Sequence, residues 1–217
     1  MDCQSVQPVP RGMHARIDGM TWTYRDYEWI VAQYPWMETS VAVALVRGAS
    51  IGTVLDAITV SDEGPAVGLE AVTTRDVELV GVALLNDQWV IAVSSTAWSM
   101  EDVPSLSAGR EVVFFRGVLG HYSISLWKDG ISVCSCDPLL RCGSGPGGSV
   151  PEPLWTLMHQ AGFSIESNGE DDIDYRMPDG KFHIVDGSIA MVANHTGVGI
   201  TREFLESATF EVGSVRY

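Results

Sequence analysis

The sequence predicts an α+β fold: a mostly antiparallel sheet of five to seven strands, with helices from the N- and C-terminal parts of the chain packed on one face. Three observations carry this expectation. The run Val41 to Ile58, VAVALVRGASIGTVLDAI, passes from an apolar strand through Arg47-Gly48 into a short helical pattern. In mid-chain, two pairs of strand-like runs are joined by Asn86-Asp87 and Asp129-Gly130, dipeptides that tight hairpin turns favour. Amphipathic helical patterns lie near both ends of the chain.

Residues 1–20 carry Pro8, Pro10, Gly12 and Gly19 without periodicity, the pattern of a partly mobile leader, and residues 21–217 are expected to form a single domain. Tyr27, Ile30, Val31 and Tyr34 recur at helical spacing, which predicts a helix from Arg25 to Gln33 stopped by Pro35. Val41 to Val46 is apolar at every position, as in a strand covered on both faces. Ser50 is an N-cap for Ile51 to Ile58, with Val54, Leu55 and Ile58 on one apolar face. Residues 61–68 read as a polar loop containing Gly64 and Pro65.

VELVGVALLN and QWVIAVSSTAW form the first predicted strand pair, and Glu111 to Phe115 another strand. In HYSISLWKDGISVCSC, a two-residue turn at Asp129-Gly130 sets Leu126 opposite Val133 and Ser125 opposite Cys134. Residues 143–153 are a Gly/Pro-rich connection leading to a helix from Leu154 to Ala161 that ends at Gly162. An acidic loop follows at 166–180, then a short strand from Lys181 to Val185. Two helices close the chain: Ser188 to His195, ended by Gly197, and Thr201 to Ala208, capped by Thr201.

Composition bounds the function. Hydrophobic residues make up 46% of 217 positions, enough for a sizeable core. The 28 acidic residues against 13 basic ones give a charge of −15, which disfavours direct binding to a nucleic-acid backbone. No apolar run reaches the roughly 18–20 residues that a membrane-crossing helix needs, so the chain reads as cytoplasmic. Four cysteines are too few for a disulfide scaffold.

No catalytic set assembles from the sequence. Cys134 and Cys136 point to one face of a strand with Cα atoms about 6.5 Å apart, and Cys142 lies across a loop. The spacing C-x-C-x5-C is not a familiar zinc pattern, so no metal and no cofactor is expected. Gly143 to Gly148 spells G-x-G-x-x-G, yet Pro146 removes an amide donor, and Pro151 and Pro153 delay the helix that would have to meet a pyrophosphate. None of the five histidines sits four residues from another, and His195 suits a helix C-terminus. Trp22, Trp29 and Trp36 recur every seven residues, as core caps or as an aromatic docking surface. Arg47, beside Gly48, is placed either to bind an anionic group or to pair with a carboxylate such as Asp26 or Glu28.

Taken in order, the Trp29 helix, ALVRGASIGTVLDAI, GVALLNDQWVIAV, LSAGREVVFFRGV, WKDGISVCSCDPL and AMVANHTGVGITREFLESATF make most of residues 21–212 resemble the DUF6461 type of actinobacterial protein. The resemblance implies an actinobacterial or actinobacteriophage origin and an intracellular setting, and it supplies no catalytic residues. The chain departs from that pattern around residues 166–185.

These features predict a non-enzymatic accessory binding protein acting by protein–protein contact, such as an immunity, antitoxin or phage–host conflict factor. Its binding residues are then Trp22, Trp29, Trp36 and Arg47. The alternative is a small-ligand sensor or enzyme with a pocket near Arg47 and the Trp29 helix.

Overall fold

The computed structural model describes residues 21–74, 78–96, 98, 100–163 and 179–216. The expected leader at 1–20 and all of the acidic loop at 166–180 except Asp179 and Gly180 lie outside the described residues.

A 3-10 turn at Tyr24–Asp26 precedes α1 (Glu28–Gln33), and a second at Pro35–Glu38 leads into β1 (Ser40–Arg47). Next come α2 (Ile51–Ile58), β2 (Thr59–Val67), α3 (Leu69–Thr73), β3 (Leu79–Leu84), β4 (Trp89–Ser94) and α4 (Val103–Leu106). The chain continues through β5 (Glu111–Val118), β6 (His121–Lys128), β7 (Ile131–Asp137), β8 (Cys142–Gly143) and α5 (Glu152–Ala161). It ends with α6 (Ile184–Thr196), α7 (Arg202–Ser207) and β9 (Thr209–Val215).

The fold is α+β around one antiparallel sheet of nine strands, in the order β2-β9-β3-β4-β1-β5-β6-β7-β8. The expected five to seven strands were too few. β2 replaces most of the expected loop at 61–68: it is a solvent-facing edge strand, with register shifts around Ser61 and Gly64 and with Pro65, which an edge tolerates. β9 inserts between β2 and β3 from the far end of the chain. β8 is two residues long.

Alternation along β1 sends Val41, Val43 and Leu45 to one core cluster and Ala42, Ala44 and Val46 to another. Apolar residues of the terminal helices α1, α5, α6 and α7, with those of α3, fill the first cluster, whereas α2, α4 and the buried Trp98 fill the second. Helices thus cover both faces, not one, which is why β1 has no polar position between Val41 and Val46. Phe114 and Phe115, adjacent on β5, bury their rings on opposite faces, each contributing about 2–3 kcal/mol.

Three local expectations change. The predicted Arg25 to Gln33 helix breaks at Tyr27 (φ −121°, ψ 0°), where Asp26 turns back to accept from the Thr23 amide at 2.7 Å. In the β6–β7 hairpin, Lys128 faces Ile131 and Trp127 faces Ser132, but Val133 then bulges out, so Leu126 meets Cys134 and Ser125 meets Ser135. The bulge turns Cys134 and Cys136 into the core. Finally, the predicted strand from Lys181 to Val185 does not form, because Ile184 and Val185 are instead the buried first turn of α6. Two adjacent β-branched residues mimic a strand when the helix they open is buried on all sides.

Candidate functional site

α6 organises the molecule. Eleven of its thirteen residues are buried, so it is an interior helix and has no solvent face; it packs against α5, β5 and the first 3-10 turn. At about 20 Å long, it has a histidine bonded to carboxylate at each end.

At the amino end, Asp179 accepts from the Lys181 amide at 3.1 Å, and the turn delivers His183 in the left-handed region (φ 40°, ψ 38°). Histidine is among the few non-glycine residues enriched there. Its Nδ1 lies 2.9 Å from Asp186 Oδ2, its Nε2 lies 2.7 Å from Asp179 Oδ2, and Glu28 Oε1 of α1 is 3.9 Å from Nε2. The Tyr24 ring lies against the imidazole, with centroids 4.6 Å apart.

Of these, Glu28, His183 and Asp186 border a cleft of about 630 Å³ between α1, the β5–β6 turn and the start of α6. Its walls are apolar at Val31, Leu139 and Phe182, and its charges are Glu28, Glu38 and Asp186 against Lys181. Asp186 is 4% exposed, and its Oδ1 is buried without a hydrogen-bond partner. Burial raises the Asp186 pKa, and the hydrogen bond and charge of His183 only partly oppose this. Burial acts to lower the His183 pKa, but the hydrogen bonds and charges of Asp186 and Asp179 outweigh it and raise the pKa. Desolvation acts to raise the Asp179 pKa, but the hydrogen bonds and charges of Lys181 and His183 together prevail and lower it.

At the carboxyl end of α6, His195 Nε2 lies 2.7 Å from Glu111 Oε1, and Arg47 Nη1 donates to Glu111 Oε2 at 3.3 Å. Arg47 therefore pairs with Glu111, not with Asp26 or Glu28, and its guanidinium lies 5.8 Å from the Trp89 ring centroid. β1 separates Arg47 from the cleft, since Glu38 precedes its other end and eight residues span about 23 Å. Helix α1 lines the cleft through Glu28, Val31 and Ala32, but Arg47 takes no part in it.

Trp22, Trp29 and Trp36 are each half-buried against the core. Trp22 lies over Gly199 and has its main chain held by Asn194. Trp29 donates Nε1–H to the Asp26 carbonyl and carries the Arg202 guanidinium 5.2 Å from its ring centroid. Trp36 meets Tyr34 edge-on. Cys134 and Cys136 are buried, while Cys142 is exposed and pairs with Asp137, which puts it on the opposite side of the strand from Cys136.

Sequence reasoning passed over His183, Asp186, Asp179 and Glu28. The spacing Asp179-x3-His183-x2-Asp186 was a readable signal, hidden by the strand assigned to it. Nothing in the sequence ties Glu28 to that motif.

Fold and site together define a class: a protein with one large antiparallel sheet clad by helices on both faces, carrying an acid-lined cleft at the start of an interior helix. The chain belongs to the family of unknown function DUF6461, whose family model matches residues 20–217. No curated protein and no solved structure matches it. Among the described residues, no helix is long and apolar enough to cross a membrane.

Proposed function

We propose that this protein is a small-ligand sensor that binds a cationic ligand in the cleft at the amino end of α6. The observation that carries the reading is Asp186, a buried carboxyl with one oxygen lacking any protein partner, bordering an open cleft. Leaving such an acceptor unsatisfied costs about 1–3 kcal/mol, and a positive charge in the cleft beside it offsets part of that cost. Glu28 and Glu38 extend the negative field to the cleft mouth, which attracts cations and repels anions. We further propose action in the cytoplasm of an actinobacterium or its phage, for which the support is the resemblance of the sequence motifs.

The test is a thermal-shift screen of small amines and polyamines against the wild type and Ala32→Trp. Ala32 is an exposed residue of the cleft wall, so the indole obstructs the cleft without disturbing the core. A compound that raises the wild-type Tm and leaves the variant unmoved supports the reading, whereas shifts equal in both chains would sink it.

A second reading, an accessory protein that binds a protein partner as an immunity, antitoxin or phage–host conflict factor, has exposed Ile131, Val133 and Leu140 near β7 as its support. Loss of a co-purifying partner on changing Ile131 and Val133 to Ser, with the cleft silent in the screen, would favour it.

A further inference from the structure

We infer that Glu28, Asp179 and His183 form a binding site for a divalent first-row transition-metal ion, with Asp186 orienting the imidazole. The inference rests on the reading of the cleft as a cation site and names the cation.

The three donor atoms, Glu28 Oε1, Asp179 Oδ2 and His183 Nε2, come from two separate parts of the chain and all lie within 4.8 Å of one another. An ion bound at about 2.0–2.2 Å to nitrogen and oxygen needs its ligands about 3.0–3.5 Å apart. The pair at 2.7 Å has to open slightly and the pair at 3.9 Å to close slightly. Both moves fall to the carboxylates: the Glu28 side chain is about half exposed and that of Asp179 about a third. His183, with its side chain 9% exposed, is the fixed point.

Asp186 is the independent observation. It contributes no metal ligand, yet its Oδ2 holds His183 Nδ1, which aims Nε2 at Asp179 and Glu28, so that a bound ion takes the place of the Nε2 proton. A buried carboxylate behind a histidine is the arrangement that fixes tautomer and ring orientation in metal sites. Its second oxygen, buried and unpartnered beside the cleft, adds negative potential that a dication offsets.

The donor set chooses among ions. Calcium and magnesium prefer oxygen-only shells, whereas imidazole with carboxylates suits manganese, iron, cobalt and zinc. Three protein ligands leave coordination positions open toward the cleft, where water or a second small ligand completes the shell.

The test uses the full chain, stripped with EDTA and titrated with Mn²⁺ while free ion is followed by electron paramagnetic resonance. The wild type is expected to take up one Mn²⁺ per chain, with Zn²⁺ displacing it and Ca²⁺ failing to do so. Glu28→Gln, a surface change outside the core, should weaken uptake at least about 10-fold while leaving the metal-free Tm unchanged. His183→Asn, which keeps a residue tolerant of the left-handed backbone, should abolish uptake. Failure of the wild type to bind Mn²⁺, displacement by Ca²⁺ as readily as by Zn²⁺, or full uptake by Glu28→Gln would each overturn the inference. If Mn²⁺ fails while an organic cation still shifts the wild type and not Ala32→Trp, the metal inference falls and the cleft reading survives. If both fail, the cleft reading falls too.

Discussion

Asn194 holds the Trp22 main chain through two hydrogen bonds: the Trp22 amide donates to Asn194 Oδ1 at 2.9 Å, and Asn194 Nδ2 donates to the Trp22 carbonyl at 2.7 Å. One buried side chain on α6 thereby stands in for a partner strand where the described chain begins. Asn194→Ala removes both bonds and leaves backbone groups short of partners, a loss of about 2 kcal/mol in urea unfolding. Asn194→Asp keeps the acceptor but sets a carboxylate oxygen against the Trp22 carbonyl, so it should be no more stable than Asn194→Ala. Equal stability of all three chains would show that the pairing contributes nothing.

The other end of α6 should give the protein an acid-sensitive component of stability. Burial of Glu111 acts to raise its pKa, but the hydrogen bonds and charges of His195 and Arg47 prevail and hold it below its ordinary value of 4.5. A carboxylate depressed on folding stabilises above its unfolded pKa, and that contribution is lost as pH falls through the folded value. The stability gap between wild type and Glu111→Gln is therefore expected to be full near pH 7 and to close below about pH 4, as read from urea unfolding across pH. A gap independent of pH would remove Glu111 from the acid response.

The cysteines should divide sharply by reactivity. Burial pushes the Cys136 thiol up to about 12, with lesser repulsion from Asp137 and neighbouring thiols, and burial also raises that of Cys134. Alkylation at pH 8 followed by peptide mapping is expected to mark the exposed Cys142 in the native protein and to reach Cys134 and Cys136 only in urea. Native labelling of Cys136 at the rate of Cys142 would contradict the packing of β7.

Two glycines with positive φ provide a controlled comparison. At Gly68 (φ +78°) an added Cβ would lie 2.6 Å from the Glu206 carbonyl oxygen, where α3 meets the end of α7. At Gly109 (φ +69°) the same atom meets nothing within 4 Å. Gly109→Ala should cost about 1 kcal/mol of backbone strain, and Gly68→Ala about 1–3 kcal/mol more from overlap with fixed backbone. Equal losses by chemical denaturation would mean that α7 shifts freely.

What the sequence determined by itself is whatever depends on neighbours along the chain. Ser50 and Thr201 accept from the amides three residues on, as their places before helices required. Gly162 and Gly197 end their helices in the left-handed conformation. Asp129 and Gly130 both take positive φ, the turn their dipeptide favours. The unbroken apolar run of β1 required cover on both faces, and α2 supplies part of it.

Tertiary structure decided what depends on partners distant in the chain. β2 is a strand because β9 pairs with it, and its own residues carry no hydrophobic alternation to announce it. The Val133 bulge, which sets the burial of two cysteines, is a matter of register and not of composition. Arg47 found its carboxylate on the neighbouring strand β5 and not at Asp26 or Glu28, which precede β1 in the chain. The cleft exists because α6 runs through the interior and brings His183 and Asp186 beside Glu28, a residue near the opposite end of the chain. Local rules act over a few residues; a site assembled from separate elements is specified only by how they pack.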